Sequence, residues 1–320
     1  MAILVAVTGW DAGPWVRRIH ELAPGLRILE TGSNGVFAGN PGDLDDVRYV
    51  LAWKPRPKLL AGLTNLQVLF SLGAGVDHII GLPDLPDVPI VRIVDPDLTA
   101  RMSEYVAWQV LHHHRQGFAH VRMQAERRWE ELRQPAAGEV TVGIMGLGVL
   151  GRDAAEVLAR LGFHVIGWSR TEKEIDGLVT YHGKPGLDIF LGQSDILVSL
   201  LPLTPATAGL INRSLISRLK RDGPLGGPVL INAGRGGSQV DAHIAAALTD
   251  GTLTGASLDV FEEEPLPADS PLWSLANVTI TPHVAAVSSP RALTRNIIDQ
   301  IAAFESGKPL QNLVDPARGY

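Results

Sequence analysis

Residues 140–171 read VTVGIMGLGVLGRDAAEVLARLGFHVIGWSRT, and they carry the clearest fold signal in the chain. An apolar strand (VTVGIM) leads through a glycine-rich turn into a helix predicted over about 151–161, and a second apolar strand (FHVIGW) follows. A strand, a helix and a further strand in this order form the βαβ unit of a parallel sheet that has helices on its faces.

The glycines of this turn have the G-x-G-x-x-G spacing of dinucleotide-binding proteins. Gly146 would permit the tight turn, Gly148 would let the backbone approach a pyrophosphate, and Gly151 would let helix and strand pack closely. The N-terminus of the helix would supply the anion site. We therefore predict that the cofactor contacts the whole turn, which consists of Gly146, Leu147, Gly148, Val149, Leu150 and Gly151. A purely structural glycine turn is the alternative.

The residues after the second strand indicate which dinucleotide binds. An Asp or Glu about 20 residues beyond the glycines would bind a ribose 2′-hydroxyl and repel a 2′-phosphate. The chain instead has Ser169, Arg170 and Thr171, and an arginine with hydroxyl neighbours can hold a phosphate through charge-assisted hydrogen bonds. The predicted cofactor is NADP(H), with NAD(H) possible. The alternative is an ordinary solvated Arg170, because Glu172 and Glu174 lie close to it in sequence.

Short apolar runs alternate with helical or turn-rich segments along the rest of the chain. Five runs come first, at 3–7, 27–30, 49–53, 67–72 and 89–94. Six runs follow, at 140–145, 163–168, 195–200, 228–233, 254–260 and 277–283. Runs this short and apolar are typical of parallel sheets that are buried on both faces. Since 320 residues suit about two domains, the predicted fold class is α/β with two doubly wound parallel-sheet domains.

Two helices determine the predicted domain organisation. One is predicted over 98–117, with Thr99 or Ser103 as its cap and Gly117 as its stop, and it would lie at the domain interface. The other, predicted over 289–306, has no strand partner nearby in sequence and would return to the first domain. The predicted domains are a substrate domain of residues 1–97 completed by 289–320, and a dinucleotide-binding Rossmann domain of residues 98–288.

Composition excludes several classes of protein. The chain has 28 basic and 34 acidic residues, a net charge of −6 and no basic stripe, which argues against nucleic acid as a partner. It has no cysteine, so disulfides, thiolate metal sites and cysteine nucleophiles are excluded. No apolar run approaches the roughly 20 residues that a membrane-spanning helix needs, and the initial MAILVAV lacks the basic residues of a signal peptide. We expect a cytoplasmic protein with no membrane partner.

Three polar side chains at strand ends point to chemistry. Arg235, Glu264 and His283 each follow an apolar strand, at the carboxyl edge where open α/β sheets bind ligands. An arginine can hold a carboxylate through two parallel hydrogen bonds, and a histidine can move a proton near neutral pH. A glutamate bonded to that histidine would favour the imidazolium, which is the better acid for reducing a ketone. Taken singly, such a histidine or glutamate is more often structural or solvent-facing.

Five segments together resemble the D-2-hydroxyacid dehydrogenase family. They are GLGVLG at 146–151, SLLPLTPATAGLIN at 199–212, INAGRG at 231–236, GASLDVFEEEPLPADSPLW at 255–273 and NVTITPHVAAVS at 277–288. The order of the segments suits the family pattern, as do the 29 residues from Arg235 to Glu264 and the 19 from Glu264 to His283. The WSRT and TPHVAAVS sequences look most like its glyoxylate/hydroxypyruvate reductase A branch.

The resemblance implies a Rossmann domain inserted in a flavodoxin-like substrate domain, and it implies a role for each strand-end residue. Arg235 would orient the substrate carboxylate and keto oxygen, and His283 would protonate that oxygen as hydride arrives. Glu264 would pair with His283, since it directly precedes Pro265 as in the family motif. Proline biases the residue before it towards an extended backbone. The other two glutamates of the run 262–264 would then be surface residues.

Further cofactor contacts are implied by the same motifs. They would come from Leu201, Pro202, Thr207, Ala233, Gly234 and Asp259. Asp259 would support the site or the nicotinamide end of the cofactor, and a role in a strand-terminal turn is equally open.

The first domain contributes a glycine-rich loop, LGAGVD at 72–77, that resembles the family loop whose backbone N–H groups hold the substrate carboxylate. Its predicted substrate contacts are Gly73, Ala74 and Gly75, and glycine at two of these positions permits the close approach that an anion nest requires. A plain turn is the alternative. Trp53 fits the reductase branch as a wall of the substrate pocket, and simple packing is its alternative.

The run His112, His113 and His114 invites a metal interpretation that helix geometry opposes. Consecutive helical residues point about 100° apart and cannot converge on one ion, so no metal site is predicted. We expect at least one of these histidines to pack into an interface, and the resemblance implies a homodimer built around this helix.

The sequence therefore favours an NADPH-dependent reductase of small 2-keto acids, with glyoxylate giving glycolate and hydroxypyruvate giving D-glycerate. One alternative is another D-2-hydroxyacid dehydrogenase, such as a phosphoglycerate dehydrogenase-like enzyme. A second alternative is a dinucleotide-sensing scaffold like the corepressors that share the fold. Pocket size, and with it the preferred 2-keto acid, stays open, because one methylene changes discrimination by only about 1 to 3 kcal/mol.

Overall fold

A computed structural model describes all residues from 1 to 320. The chain forms two compact units, which consist of residues 1–98 with 288–320 (unit 1) and residues 99–287 (unit 2). The sequence-based boundaries, 97/98 and 288/289, differ from these by one residue each. No helix of the structure is both long enough and apolar enough to span a membrane.

The elements are numbered along the chain. The strands are β1 (Ala2–Val7), β2 (Arg27–Glu30), β3 (Val47–Trp53), β4 (Val68–Ser71), β5 (Ile90–Val91), β6 (Thr141–Met145), β7 (His164–Ser169), β8 (Val179–His182), β9 (Ile196–Ser199), β10 (Val229–Asn232), β11 (Gly255–Leu258) and β12 (Val278–Ile280). The helices are α1 (Gly13–Leu22), α2 (Asp77–Ile80), α3 (Pro96–His114), α4 (Gly117–Ala125), α5 (Val149–Arg160), α6 (Gly183–Gln193), α7 (Arg213–Ile216), α8 (Asp241–Thr249) and α9 (Pro290–Glu305).

Unit 1 is built on a five-stranded parallel sheet in the order β2-β1-β3-β4-β5. This is the flavodoxin-like order, with helices on both faces of the sheet. Alternate strand residues pack into two apolar layers, and Leu51 lies with α1 and α9 while Val50 lies with α2. Burial on both faces explains why these strands read as continuous aliphatic runs. All five strands predicted for the first domain are present.

Unit 2 contains a seven-stranded parallel sheet in the order β12-β11-β10-β9-β6-β7-β8. Helices α3 and α5 pack on one face of this sheet, and α6, α7 and α8 pack on the other. The sequence analysis predicted six strands here and missed β8. This edge strand reads VTYH, and both Val179 and His182 are exposed, so it lacks the apolar run that marks the buried strands.

The start of α3 corrects the predicted helix cap. Neither Thr99 nor Ser103 caps the helix, because both lie within it. Asp95 precedes the helix, and its Oδ1 accepts hydrogen bonds from the backbone N–H groups of Asp97 and Leu98, at 2.8 and 3.4 Å. An aspartate cap before a proline at the first helical position is a strong start signal, so the helix begins earlier than predicted. The Ser103 hydroxyl instead bonds to Asp153.

The end of α3 corrects the predicted stop at Gly117. The helix ends at His114, and Gln116, before the predicted stop at Gly117, takes the left-handed conformation. Gly117 begins α4. Reversal at Gln116 is possible because a single non-glycine residue can occupy the left-handed region at a modest cost.

The helical tail predicted over 289–306 is α9, which Ser289 precedes as the cap residue. It belongs to unit 1, where Leu293, Ile297 and Ile301 pack in the apolar layer shared with α1. These residues recur at intervals of four, which places them on one face of the helix.

Two histidines of the 112–114 run, His113 and His114, are buried in unit 2, and His113 lies against β11. The Nε2 of His113 lies 2.8 Å from the hydroxyl of Ser257 on β11, and that hydroxyl donates to Gln109 Oε1 at 2.6 Å. Since Ser257 has already used its hydrogen, His113 must be the donor and must carry its proton on Nε2. Burial, with a smaller contribution from the charge of His112, lowers the pKa of His113 to about 3.

The low pKa of the buried His113 predicts that the folded protein loses stability in acid. The unfolded chain binds a proton at His113 near the ordinary pKa of 6.5 and the folded chain does so only near 3, so stability falls as pH drops below 6.5. The expected slope for this one group is up to about 1.4 kcal/mol per pH unit. We expect His113→Gln, whose amide can still donate to Ser257, to flatten the slope measured by urea unfolding at pH 7 and pH 5. The exposed His243→Gln is the control, and an unchanged slope in His113→Gln would contradict the assignment.

Candidate functional site

The glycine turn between β6 and α5 has a different constraint at each glycine. Gly146 has φ of +104°, and a Cβ there would lie 2.8 Å from the Leu200 carbonyl oxygen. A Cβ on Gly151 would lie 1.9 Å from the carbonyl oxygen of Gly146, so this position tolerates no side chain. A Cβ on Gly148 would meet nothing within 4 Å. The outer two glycines therefore shape the turn, while Gly148 faces open space.

The turn fits the phosphate groups of a dinucleotide. Gly148 is the cap residue of α5, and no side chain caps the helix, so the N–H groups of its first turn have no intrahelical partner. An anion over Gly148 would meet these N–H groups and the positive end of the helix dipole. The open space at Gly148 supports this fit, because Gly148 is the glycine expected to approach a phosphate.

The end of β7 combines hydroxyl and cationic groups. Ser169 is buried, and its hydroxyl donates to the Thr171 carbonyl oxygen at 2.6 Å, so it shapes the loop. Arg170 and Thr171 are exposed. Lys173 donates to the Leu147 carbonyl oxygen at 2.8 Å and thereby ties this loop to the glycine turn.

A second cation reaches the same carbonyl oxygen. Arg152 Nε lies 3.3 Å from the oxygen of Leu147, beside the Lys173 ammonium group. Burial, and then the nearby charge of Arg152, lowers the pKa of Lys173. Sequence analysis did not single out Arg152, although its position directly after the last glycine of the turn was a usable signal. The side chains of Arg152 and Lys173 thus place two positive charges at Leu147, next to Gly148 in the turn.

The loop after β9 contains Leu201, Pro202 and Thr207, three of the residues predicted to contact the cofactor. Thr207 donates its hydroxyl to the Pro202 carbonyl oxygen at 2.6 Å and accepts from the Thr204 backbone N–H at 2.8 Å. The Thr207 hydroxyl therefore links the two ends of the segment from Pro202 to Thr207. Leu201 is buried, and a Cβ on Gly234 would lie 2.7 Å from its carbonyl oxygen, so the loops after β9 and β10 are in tight contact. Ala233, which precedes Gly234, is also buried.

Arg235 follows β10 and is half-buried. Its Nη1 donates to the Gly234 carbonyl oxygen at 2.8 Å, and its own carbonyl oxygen accepts from the Ser238 hydroxyl at 2.6 Å. Two buried amides support this loop, because Asn232 Nδ2 donates to Gln239 Oε1 at 2.7 Å. Sequence analysis missed Asn232 and Gln239. The guanidinium group is thus held in part by the backbone of its own loop.

His283 and Glu264 form a hydrogen-bonded pair. His283 Nδ1 lies 2.9 Å from Glu264 Oε2, and the two side chains are 32% and 24% exposed. Glu264 Oε1 also accepts from the Phe261 backbone N–H at 3.3 Å, which fixes the carboxylate. Of the three adjacent glutamates, Glu262 instead accepts from the Asp241 backbone N–H at 2.6 Å and is exposed.

The loop that carries His283 is organised by Asp259. This carboxylate is almost fully buried and accepts from the Thr281 hydroxyl at 2.6 Å and from the N–H groups of Val284 and Ala285 at 2.9 Å. Burial raises the pKa of Asp259 above its ordinary value, although the hydrogen bonds oppose the shift. The structure therefore places Asp259 under the histidine loop, where it serves the strand-terminal turn that the sequence left open.

Unit 1 contains the predicted substrate loop after β4. The Ser71 hydroxyl accepts from the Gly73 N–H at 3.2 Å and donates to the carbonyl oxygens of Gly73 and Gly75, at 3.0 and 3.2 Å. The N–H of Ala74 makes no hydrogen bond within the protein, which suits a nest for an anion. A Cβ on Gly73 would lie 2.4 Å from Trp53 Cζ3, so the absence of a side chain lets Trp53 lie directly on the loop.

Trp53 is half-buried at the end of β3 and makes two further contacts. Its ring centroid lies 4.7 Å from that of His78 on α2, and the Lys54 ammonium group lies 5.9 Å from the ring centroid. Lys54 has φ of +45°, an uncommon conformation for a residue with a side chain. Sequence analysis missed His78 and Lys54, which surround the tryptophan.

Comparison with known proteins finds relatives that match the whole chain. The family model of the D-isomer specific 2-hydroxyacid dehydrogenase NAD binding domain matches residues 107–285. A glyoxylate/hydroxypyruvate reductase A from Yersinia enterocolitica is 40% identical over 317 residues, which cover 97% of each chain.

Two solved structures resemble the whole chain. A probable 2-hydroxyacid dehydrogenase from Rhizobium etli, in complex with NADP and L(+)-tartaric acid, is 50% identical with a TM-score of 0.92, covering 100% of this chain and 99% of that one. An NADPH-dependent glyoxylate/hydroxypyruvate reductase from Sinorhizobium meliloti, in complex with NADP and sulfate, is 48% identical with a TM-score of 0.92 over 100% of both chains. With full-length relatives at this identity and a matching cofactor domain, the chain belongs to the D-isomer specific 2-hydroxyacid dehydrogenase family.

Proposed function

We propose that this protein is an NADPH-dependent reductase that converts glyoxylate to glycolate and hydroxypyruvate to D-glycerate. The observation that carries the proposal is the histidine–carboxylate pair of His283 and Glu264, 2.9 Å apart, in the same unit as the glycine turn. The names of the relatives from Yersinia enterocolitica and Sinorhizobium meliloti support the same substrates and cofactor.

His283 is the proposed proton donor to the keto oxygen. Its Nδ1 bonds to Glu264 Oε2, so Nε2 is the nitrogen that holds the transferable proton. The Glu264 carboxylate accepts the hydrogen bond from Nδ1–H and keeps the ring in one orientation, with Nε2 available to the substrate. When bound, the reduced nicotinamide supplies the hydride.

Arg235 is the proposed anchor for the substrate. A planar guanidinium can form two parallel hydrogen bonds with a carboxylate and can polarise the neighbouring keto oxygen. Negative charge develops on that oxygen as the carbonyl is reduced, and a fixed cation stabilises it at no cost of reorganisation. The N–H groups of the Gly73–Gly75 loop would hold the substrate carboxylate, and Trp53 would form an apolar wall of the pocket.

The turn residues 146–151 would hold the pyrophosphate, and the loop after β7 would select the cofactor. Ser169, Arg170 and Thr171 present an arginine with two hydroxyl neighbours and no carboxylate at the position that meets the ribose. The loops with Leu201, Pro202, Thr207, Ala233 and Gly234 would complete the cofactor site. Asp259 would support its nicotinamide end by holding the histidine loop.

Replacing Arg170 tests the cofactor preference. We expect Arg170→Ala to raise the KM for NADPH about 10- to 100-fold, because charge-assisted hydrogen bonds to the 2′-phosphate are lost. The KM for NADH should stay within about twofold, since NADH has no phosphate there. Steady-state kinetics with both cofactors provide the measurement, and the exposed Arg160→Ala is the control. Equal increases for NADPH and NADH would show that Arg170 does not select the cofactor.

We further propose a homodimer in the cytoplasm. Large apolar side chains are exposed on α3, on α4 and in the segment after them, at Trp108, Val121 and Trp129, and the last is fully exposed. Such a surface favours association, and a second copy of the chain is the occupant that the resemblance implies. A sedimentation measurement that finds only monomer at micromolar concentration would overturn the dimer. The net charge of −6 supports the absence of a nucleic acid partner.

Product analysis tests the proposed reaction. The purified protein is incubated with hydroxypyruvate and NADPH, and the glycerate formed is resolved by chiral chromatography. We expect D-glycerate in a one-to-one ratio to the NADPH consumed. L-Glycerate, or consumption of NADPH without glycerate, would overturn the proposal.

A further inference from the structure

His283 has a backbone conformation that something else in the protein must maintain. Its φ is +56°, in the left-handed region, which costs a residue with a side chain about 1 kcal/mol or more. The His283 N–H donates to the Asp259 carbonyl oxygen at 2.8 Å. The next two N–H groups, of Val284 and Ala285, donate to the Asp259 carboxylate at 2.9 Å. Three consecutive N–H groups of this loop thus converge on one residue.

Asp259 can hold the loop because its charge is stabilised within the interior. The residue is 1% exposed, so an unsupported carboxylate would be costly. Its third donor is the Thr281 hydroxyl, at 2.6 Å from Oδ1. Three donors to the carboxylate favour its ionised form against the effect of burial.

The direction of the remaining hydrogen bond follows from the count of hydrogens. Thr281 has one hydroxyl hydrogen, and an ionised carboxylate can only accept, so that hydrogen belongs to the bond with Asp259. Tyr105 Oη lies 2.8 Å from the Thr281 hydroxyl oxygen and must therefore be the donor. Tyr105 is buried on α3, and burial raises its pKa above the ordinary value, so the phenol keeps its proton.

We propose that Tyr105 and Thr281 are positioning residues for His283. The chain of hydrogen bonds from Tyr105 to Thr281 to Asp259 holds the left-handed backbone of His283 and keeps its ring against Glu264. Neither residue contacts the reacting atoms in this scheme, and each acts through Asp259. The proposal rests on the proposed function only in treating His283 as the proton donor.

The central variant is Thr281→Val, which removes the hydroxyl and nearly preserves the side-chain shape. We expect kcat for glyoxylate reduction to fall about 10- to 100-fold, since a hydrogen bond to a charged group is lost, with the Kd for NADPH within about twofold. Thr281→Ser restores the hydroxyl and should recover kcat to within about threefold of the wild type. Tyr105→Phe removes only the outer donor, and we expect a loss of about 2- to 10-fold.

Two control variants match these changes in chemistry, and Thr254 also matches Thr281 in burial. Thr254 lies just before β11, and its half-buried hydroxyl bonds to the Gly227 and Pro228 carbonyl oxygens. Thr254→Val removes this hydroxyl. Tyr181→Phe removes a half-buried tyrosine hydroxyl that accepts from Gln193 at 2.9 Å. Both should keep kcat within about twofold of the wild type, because neither bonds to the histidine loop.

A second measurement separates this inference from the reductase activity. Proton NMR of the cofactor-free protein should show a downfield His283 Nδ1–H signal from its bond to Glu264. The signal is assigned by its absence from the spectrum of His283→Asn. We expect the signal in the wild type and in Thr281→Ser and its loss in Thr281→Val, even if the wild type reduces no 2-keto acid. Thr281→Val with wild-type kcat or with an unchanged signal would overturn the positioning role. Failure of Thr281→Ser to recover kcat and the signal would also overturn it.

Discussion

The Arg235→Ala variant is expected to lose about 10³-fold in kcat/KM for glyoxylate while its affinity for NADPH stays within about twofold. The guanidinium is proposed to bind the substrate carboxylate and to stabilise the charge that develops on the keto oxygen, and alanine can do neither. The change should appear in kcat as well as in KM, because part of the interaction strengthens in the transition state. Steady-state kinetics and fluorescence titration of NADPH measure the two effects separately.

Two further variants make the result specific to Arg235. Arg235→Lys keeps the charge but loses the planar pair of donors, so we expect it to recover only part of the activity. Arg213→Ala removes an exposed arginine of the same unit that pairs with Asp250 at 2.8 Å, and it should leave the kinetics unchanged. Equal losses of turnover and of NADPH affinity in Arg235→Ala would show that the residue acts on the cofactor or on the fold.

The His283→Asn variant is expected to lose about 10²- to 10⁴-fold in kcat, the range usual for removal of a general acid. Asparagine is the replacement because it tolerates the left-handed backbone of position 283 and its amide can still donate to Glu264. The fold and the loop should therefore survive while the transferable proton is lost. Single-turnover kinetics at saturating NADPH measure the chemical step directly.

The exposed His243→Asn is the matched control for this variant and should retain full activity. NADPH binding by His283→Asn should equal that of the wild type. Substantial turnover by His283→Asn would mean that another group donates the proton and would remove the central residue of the proposed mechanism.

Much of the fold follows from local sequence patterns. The aliphatic strands, the glycine turn and the return of α9 to unit 1 could be predicted because each buried strand is a short apolar run and each turn has its own chemistry. The strand β8 could not, since its VTYH sequence lies at the sheet edge and needs no apolar run. The start of α3 was misplaced because the Asp95 cap outweighs Thr99 and Ser103 further along.

Less of the candidate site could be predicted. Arg235, Glu264 and His283 stand at strand ends, where topology alone directs attention. The supporting residues have no such signal, because their contacts arise only on folding. Tyr105 and Thr281 are 176 residues apart in sequence, and no local pattern pairs them. His78, which lies against Trp53, was missed for the same reason.

The most direct test of the proposed activity is a paired absorbance assay of the purified protein with NADPH or NADH against glyoxylate, hydroxypyruvate, pyruvate and phenylpyruvate. We expect rapid oxidation of NADPH with glyoxylate and hydroxypyruvate, and much slower oxidation of NADH. A preference for NADH would contradict the role of Arg170. Absence of turnover with all four acids and both cofactors would contradict the reductase itself and would favour a dinucleotide-binding scaffold.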